Sequence, residues 1–406
     1  MKIKIAAVLL ATLFCSASTI AQVAHVRGKV VVPASSFEKP GQAGRFAHTH
    51  IQVFLPATTL PHPQTSGPPY AGLAYETPAS LACVYGLVAT ASGCNPNKVT
   101  AVPNGGSRMI AIVDAYDAPS AASDLAYFSQ QFGLPSASFQ VVYASGVQPQ
   151  YDMGWELEAS LDVQWAHAMA PQAQIVLVEA ASNSFADLMA AEDVAARMVN
   201  AAGGGEVSNS WGSGEFGSET AFDSHFVKPG VVFLASSGDS PGTSWPGVSP
   251  NVVSAGGTTV RRNPSTGNFV SEIAWESAGG GVSYYEARPS YQSKLSSTVG
   301  SHRGAPDLSF DANPTTGVWV FDSNAGGWYI VGGTSVSSPA LAGIINLAGS
   351  FYTSTNAELT TVYGKIGTAS FTDITGGFCG AYVGYSAAGG WDVCTGAGVS
   401  KGKTGK

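Results

Sequence analysis

The stretch Gln174-Ile175-Val176-Leu177-Val178-Glu179, followed shortly by Ser184-Phe185-Ala186-Asp187 and an apolar-periodic run to Asn200, decides the architecture. A short run rich in β-branched residues reads as a buried strand. Ser184 with Asp187 three positions on is a capping-box-like start, predicting a helix over Ser184–Asn200. The same unit recurs outward in both directions. Strands are predicted at Met109–Val113, Phe139–Tyr143, Glu206–Ser210 and Val231–Ala235, and helices at Pro119–Phe132, Gly154–Ala168 and Ser218–Val227. This alternation predicts an α/β fold with a mostly parallel central sheet, helices on both faces and right-handed crossovers. Residues 239–335 are rich in Gly, Pro and Ser and read as loop-heavy, closing with a strand at Trp328–Val331 and a helix from about Val336. Residues 22–75 differ: two β-like runs, Gly28–Val32 and His50–Leu55, precede a Pro-rich stretch from Pro56 to Pro69. They read as a short pro-segment or N-terminal extension ahead of one catalytic domain, 76–406.

Composition narrows the function classes. The chain has 406 residues, with only 19 Lys+Arg and 27 Asp+Glu, and a formal net charge of −8. No basic surplus exists to neutralise phosphates, which argues against nucleic-acid binding. Apolar residues make up 45%, enough for a large core and against global disorder. Lys2 and Lys4 precede an apolar run, Ile5 to Phe14, and a small-residue stretch ending at Ala21, the pattern of a secretory signal peptide over 1–21. No later run is long enough for a membrane span. The expectation is a soluble, secreted monomer, extracellular or periplasmic. Cleavage removes Cys15 and leaves Cys83, Cys94, Cys379 and Cys394. In an exported protein these local pairs suggest two disulfides; four thiols are the alternative.

Three stretches can carry chemistry. Gly332-Gly333-Thr334-Ser335-Val336-Ser337-Ser338-Pro339 joins a buried strand to an apolar helix. A Ser there meets unpaired N–H groups and positive dipole, and is either a nucleophile beside an oxyanion site or only a cap. Pro339 is read as falling in the helix's first turn. Trp155-Glu156-Leu157-Glu158-Ala159-Ser160-Leu161-Asp162 puts Glu158 and Asp162 on one helix face, about 40° apart, with Glu156 pointing elsewhere. Such a pair shares a proton and one member becomes a base for acid solution; the alternative is a solvated acidic face. Val231 to Ala235 runs through Ser236-Ser237-Gly238 into Asp239, either a neutral oxyanion donor or a turn Asp. None of the seven His sits in a His-Gly-Thr setting, and each reads as a surface or packed residue.

In order and spacing these stretches resemble the sedolisin family of serine-carboxyl peptidases over roughly residues 76–400. Supporting similarities are Thr77-Pro78-Ala79-Ser80-Leu81, Ser208-Asn209-Ser210-Trp211-Gly212, Gly279 to Ser283 and Pro306-Asp307. The resemblance implies a subtilisin-like fold and acid-acting endopeptidase chemistry on peptide or protein substrates. It implies Ser335 as nucleophile, Glu158 as general base, Asp162 as its partner, and Asp239 in the oxyanion hole. Ser210, Trp211 and Gly212 would line the substrate cleft. One structural Ca²⁺ would be held by Asp373 and Asp392 with carbonyls of Ile374, Ala388 and Gly390. The sequence departs from the family in its short N-terminal region, in Ser240-Pro241 after Asp239, in Gly332, in Ala388 and in its Cys pairs. Two other readings compete: a subtilisin-like Ser/His/Asp peptidase using Asp114, and an inactive exported binding protein.

Overall fold

Alternate residues along the central strands point to opposite faces, and that period sets the layers. In a computed structural model describing residues 26–57, 60, 62–380 and 384–406, the strands are, in chain order, β1 (Gly28–Val31), β2 (His48–Thr49), β3 (Gln52–Pro56), β4 (Met109–Ala115), β5 (Ser138–Tyr143), β6 (Gln174–Ala180), β7 (Gly205–Asn209), β8 (Trp211–Gly214), β9 (Val231–Ser236), β10 (Ser244–Trp245), β11 (Val253–Arg262), β12 (Phe269–Ala274), β13 (Gly281–Ala287), β14 (His302–Ala305), β15 (Leu308–Asp311), β16 (Val318–Asp322), β17 (Gly327–Gly332), β18 (Phe371–Thr372), β19 (Phe378–Cys379), β20 (Tyr385–Ser386) and β21 (Val399–Ser400). The helices are α1 (Pro78–Val84), α2 (Ala121–Phe132), α3 (Met153–Met169), α4 (Phe185–Ala201), the single turn α5 (Ser296–Val299), α6 (Thr334–Ala348) and α7 (Thr355–Gly364).

The main sheet runs β18-β21-β15-β11-β9-β7-β4-β6-β5. Its pairings are parallel except for β18 on β21 and for β12 alongside β11. Ile110, Ile112, Ile175 and Leu177 face Leu161 and Trp165 of α3 and Leu341 and Ile344 of α6. Ala111, Val113, Val176 and Val178 face Leu188, Met189 and Val199 of α4. Each such fully buried aliphatic side chain stabilises the layering by ~1.5–3 kcal/mol. The α/β expectation therefore holds, with helices on both faces of the sheet.

Three expectations are corrected. Residues 239–335 are not loop-heavy: they supply β11, β12 and β15 to the main sheet and five further strands elsewhere. Ser218–Val227 is no α-helix but two 3₁₀ turns, Glu219–Ala221 and Asp223–Phe226. The Asp223 carbonyl accepts from Asn251 Nδ2 at 3.1 Å, and its carboxylate from Ser249 Oγ at 2.7 Å. Those bonds draw the segment toward residues 249–251 in place of helical pairing. The β-like run His50–Leu55 starts late: His50 and Ile51 lie between β2, which ends at Thr49, and β3, which begins at Gln52.

The N-terminal region is woven into the domain. β3 inserts between β1 and β17, giving a sheet β1-β3-β17-β16, and β2 pairs with β8. Cys83 is bonded to Cys94 and Cys379 to Cys394. No described helix is long and apolar enough to cross a membrane. The expected signal peptide and Cys15 lie outside the described residues.

Candidate active site

Two buried helices and the ends of two strands bring the candidate residues together. α3 starts at Asp152, whose carboxylate accepts from Gly154 N and Trp155 N at 2.9 and 3.1 Å, an N-cap that fixes its phase. That phase turns Glu158 and Asp162 inward toward α6, where both are fully buried. Glu156 points away and accepts from Ser120 Oγ at 2.9 Å and Asn324 Nδ2 at 2.7 Å.

β17 delivers the chain to Gly333, where φ is +105°. A Cβ there would lie 2.1 Å from the His50 carbonyl oxygen and 2.6 Å from Asp239 Oδ2, so only glycine fits. α6 begins at Thr334, earlier than the expected Val336, which places Pro339 in the second turn and not the first. Proline lacks the N–H that would bond the Ser335 carbonyl four residues back. Ser210 Oγ takes that role, its one hydrogen shared between the Ser335 carbonyl at 3.2 Å and Asp162 Oδ1 at 2.8 Å. The helix defect thus ties the candidate nucleophile, through Ser210, to the carboxylate pair.

Ser335 Oγ donates to the Ser210 carbonyl at 3.2 Å. The hydroxyl is close enough to Glu158 to pull its carboxyl down, yet neither Glu158 oxygen has a hydrogen-bond partner among the described residues. The Ser335–Glu158 bond is therefore unmade in this conformation. Burial first, then Asp114 and Asp239, push Glu158 well above the usual carboxylate range. Burial and Glu158 do the same to Asp162. Buried carboxylates lacking donors favour the protonated form, so this cluster holds protons that exposed acids would release.

Asp239 closes the site. Its Oδ1 accepts from Thr334 N at 2.7 Å and Thr334 Oγ1 at 2.9 Å, while Oδ2 is buried and unpartnered among the described residues. Burial pushes it up to about 7, against the pull of the two Thr334 donors. Ser210, Trp211 and Gly212 lie along one edge: Trp211 Nε1 donates to the Val113 carbonyl at 2.9 Å, and β2 runs beside Trp211 and Gly212.

Two neighbours complete the site: Asp114, which the sequence offered only in the competing Ser/His/Asp reading, and His50, which it did not mark as a site residue. Asp114, at the end of β4, is buried with neither oxygen partnered among the described residues, and burial followed by Asp162 and Glu179 raises it. Among the described residues no imidazole meets it, which leaves the Ser/His/Asp arrangement without its base. His50 comes from the N-terminal region, and its carbonyl accepts from Ser335 N at 3.1 Å. Its imidazole bonds Ser236 Oγ at 2.7 Å, not Ser335. A strand end running into Asp114 was a legible signal; nothing local marked His50.

No family model matches the chain. Sedolisin of Pseudomonas sp. (strain 101) is 27% identical over 362 residues, covering 76% of this chain and 60% of that protein. Kumamolisin of Bacillus sp. (strain MN-32) is 29% identical over 333 residues, covering 73% and 58%. Among solved structures, Pseudomonas sedolisin, a serine-carboxyl proteinase complexed with two molecules of pseudo-iodotyrostatin, superposes with a TM-score of 0.68 at 26% identity, covering 80% of this chain and 95% of that one.

Over about three quarters of its length the chain is related to the sedolisins. It spans about 60% of the length of these two full-length relatives.

The sedolisin resemblance also implied calcium. Asp373 Oδ2 accepts from Gly390 N at 2.8 Å, and Asp392 Oδ2 from Ala388 N at 3.1 Å, so both carboxylates grip one turn. The donors are all oxygen, the chemistry that suits Ca²⁺. Among the described residues no three Asp, Glu, His or Cys gather as a metal cluster. A cation here would lean on backbone carbonyls, which agrees in kind with Ile374, Ala388 and Gly390. The Cys379–Cys394 bond braces the same loop.

Proposed function

We propose that this chain, a relative of the sedolisins, is a secreted serine-carboxyl endopeptidase that hydrolyses peptide bonds in acid. The observation that carries the reading is one convergence. Ser335 at a helix start, two buried carboxylates on α3 and the unpartnered Oδ2 of Asp239 meet around a single strand–helix junction.

In this mechanism the α3 pair carries one proton, on Asp162, so ionised Glu158 takes the Ser335 Oγ proton as that hydroxyl rotates from the Ser210 carbonyl and attacks the peptide carbonyl. Asp162 holds and tunes Glu158. The Ser335 N–H and protonated Asp239 donate to the developing oxyanion. Glu158 returns the proton to the leaving amine, and water repeats the sequence on the acyl ester. Ser210, Trp211 and Gly212 position the substrate by backbone pairing. Asp373 and Asp392, with carbonyls of Ile374, Ala388 and Gly390, would hold one Ca²⁺, whose charge would offset the two carboxylates and pin the C-terminal loop. The two disulfides support an oxidising compartment, as secretion requires. The catalytic domain is assigned to 76–406.

The test is an acid-pH digest of a mixed peptide library read by mass spectrometry. Cleavage by the wild type and none by Ser335→Ala is expected. Activity that peaks above pH 8, or persists in Ser335→Ala, overturns the assignment.

A further inference from the structure

The loop that carries Asp239 is held from outside itself. It leaves β9 at Ser236 and returns at β10, which pairs with β8, Ser244 opposite Gly214 and Trp245 opposite Ser213. Residues 237–244 form one wall of a cavity of about 390 Å³. Ser240 and Pro241 at the tip are exposed, and a proline has no N–H with which to pin its own turn. Asp239 sits just before that tip. Its Oδ1 is held by Thr334 and its Oδ2 is unpartnered among the described residues, so the aim of that oxygen follows the backbone that bears it.

Two other segments fix that backbone. At the near end Gly279 N donates to the Gly238 carbonyl at 2.8 Å, and Ser237 Oγ to the Gly279 carbonyl at 2.8 Å. A Cβ on Gly279 would lie 2.3 Å from the Ser237 carbonyl oxygen, so the two backbones touch. At the far end Gly280 N donates to the Gly242 carbonyl at 2.8 Å. The chain then enters β13, where Ser283 and Tyr284 meet Glu215, the residue directly after β8. Thr243 Oγ1 donates to Glu215 Oε2, Ser283 Oγ to Oε1, and Tyr284 N to both, at 3.2 and 3.4 Å. A carboxylate has about four acceptor sites on two oxygens and can hold both arms at once. Glu215 thus clasps the far end of the Asp239 loop and the strand on which the loop rests. Behind it lies Glu219, fully buried and accepting from Phe216 N at 2.7 Å. Burial first, then Glu215, pushes Glu219 up to about 9 against the pull of Phe216 N, so in acid it is neutral and does not repel the clasp.

We infer that Glu215 is a positioning residue for the oxyanion hole: by clasping Thr243 and Ser283 it holds the 237–244 loop and so aims Asp239 Oδ2 at the reacting carbonyl. This rests on the peptidase reading above and extends it to a residue that touches no reacting atom. Such a residue acts on the transition state and leaves ground-state substrate binding alone. A group misplaced by about 1 Å can cost on the order of 10²-fold in rate. The clasp needs no contact with substrate to govern turnover.

The experiment compares Thr243→Val, which removes only the loop arm of the clasp, with Glu215→Ala and Glu215→Gln at acid pH. The substrate is one library peptide that the wild type cuts, and the inhibitor is a peptide aldehyde ending at the residue whose carbonyl is attacked. Ser335 Oγ adds to the aldehyde carbon and the hydroxyl proton passes to the aldehyde oxygen, giving a hemiacetal that mimics the tetrahedral adduct. Thr243→Val and Glu215→Ala should lower kcat by about 10-fold or more with KM within about 2-fold, and weaken aldehyde binding by the same factor as kcat. Glu215→Gln, which keeps one acceptor oxygen, should recover most of the loss. In an Asp239→Ala background Thr243→Val should cost nothing further. If Thr243→Val leaves kcat and aldehyde binding within about 2-fold, raises KM instead, or costs as much without Asp239 as with it, the positioning role is wrong and the peptidase reading stands. If Ser335→Ala cuts the peptide as fast as the wild type, or neither cuts it, both are wrong.

Discussion

Raising the pH should unfold this protein through specific buried carboxyls, and Glu206 is the clearest. It is 1% exposed at the start of β7 and accepts from Asn346 Nδ2 of α6 at 2.7 Å. Burial pushes it from 4.5 up to about 8; Glu358 adds to that, while Asn346 and Arg108 oppose it. Its folded value lies above its unfolded one, so the stabilisation is complete below about 4.5 and is lost as pH rises through about 8. One pKa unit is 1.36 kcal/mol, so the rise from 4.5 to about 8 is worth on the order of 5 kcal/mol. Glu206→Gln keeps the shape and an acceptor for Asn346 but cannot ionise. Urea unfolding should be measured at pH 4, 6 and 8.5 in a Ser335→Ala background, which prevents self-digestion. The two proteins should match at pH 4, and the Gln variant should be more stable by several kcal/mol at pH 8.5. Parallel stability–pH curves would refute the reasoning.

Other outcomes follow from the site. The kcat/KM of peptide hydrolysis should fall as pH rises through about 7, where Asp239 loses its proton, and Asp239→Asn, still a donor, should flatten that limb. Ser335→Ala and Glu158→Gln should each lower kcat by about 10³-fold or more, with the double variant no worse than either, read by single-turnover kinetics. Chelation should lower the Tm by several degrees in a thermal scan, and added Ca²⁺ should restore it. Replacing Cys83 and Cys94 by Ser should cost about 2–3 kcal/mol in chemical denaturation.

Legibility in the sequence followed the range of the interactions. The βα units read cleanly because strand period, helix period and the Ser184 cap are local, and Ser184 Oγ does accept from Asp187 N at 3.2 Å. Glu158 and Asp162 read from one helical turn. The Cys pairs, local in sequence, bonded as suggested. β11 was missed because Gly256 and Gly257 looked like loop, whereas Pro306 and Trp275 pack so close that a Cβ would sit 2.5 and 2.9 Å from them. His50 was missed because each of its partners, Ser210, Ser236 and Ser335, lies far along the chain. No window centred on His50 contains them.

The pairing of β3 with β17 has a consequence for timing. Val53 and Phe54 register with Val331 and Ile330, so among the first residues made meet some of the last. Such closure is slow, because long-loop entropy is lost before the contact returns anything. The strand that carries Gly332 to the nucleophile loop is therefore completed only after nearly the whole chain has been synthesised. On the proposed function, a chain assembled in that order stays incompetent while it is itself most vulnerable to cleavage.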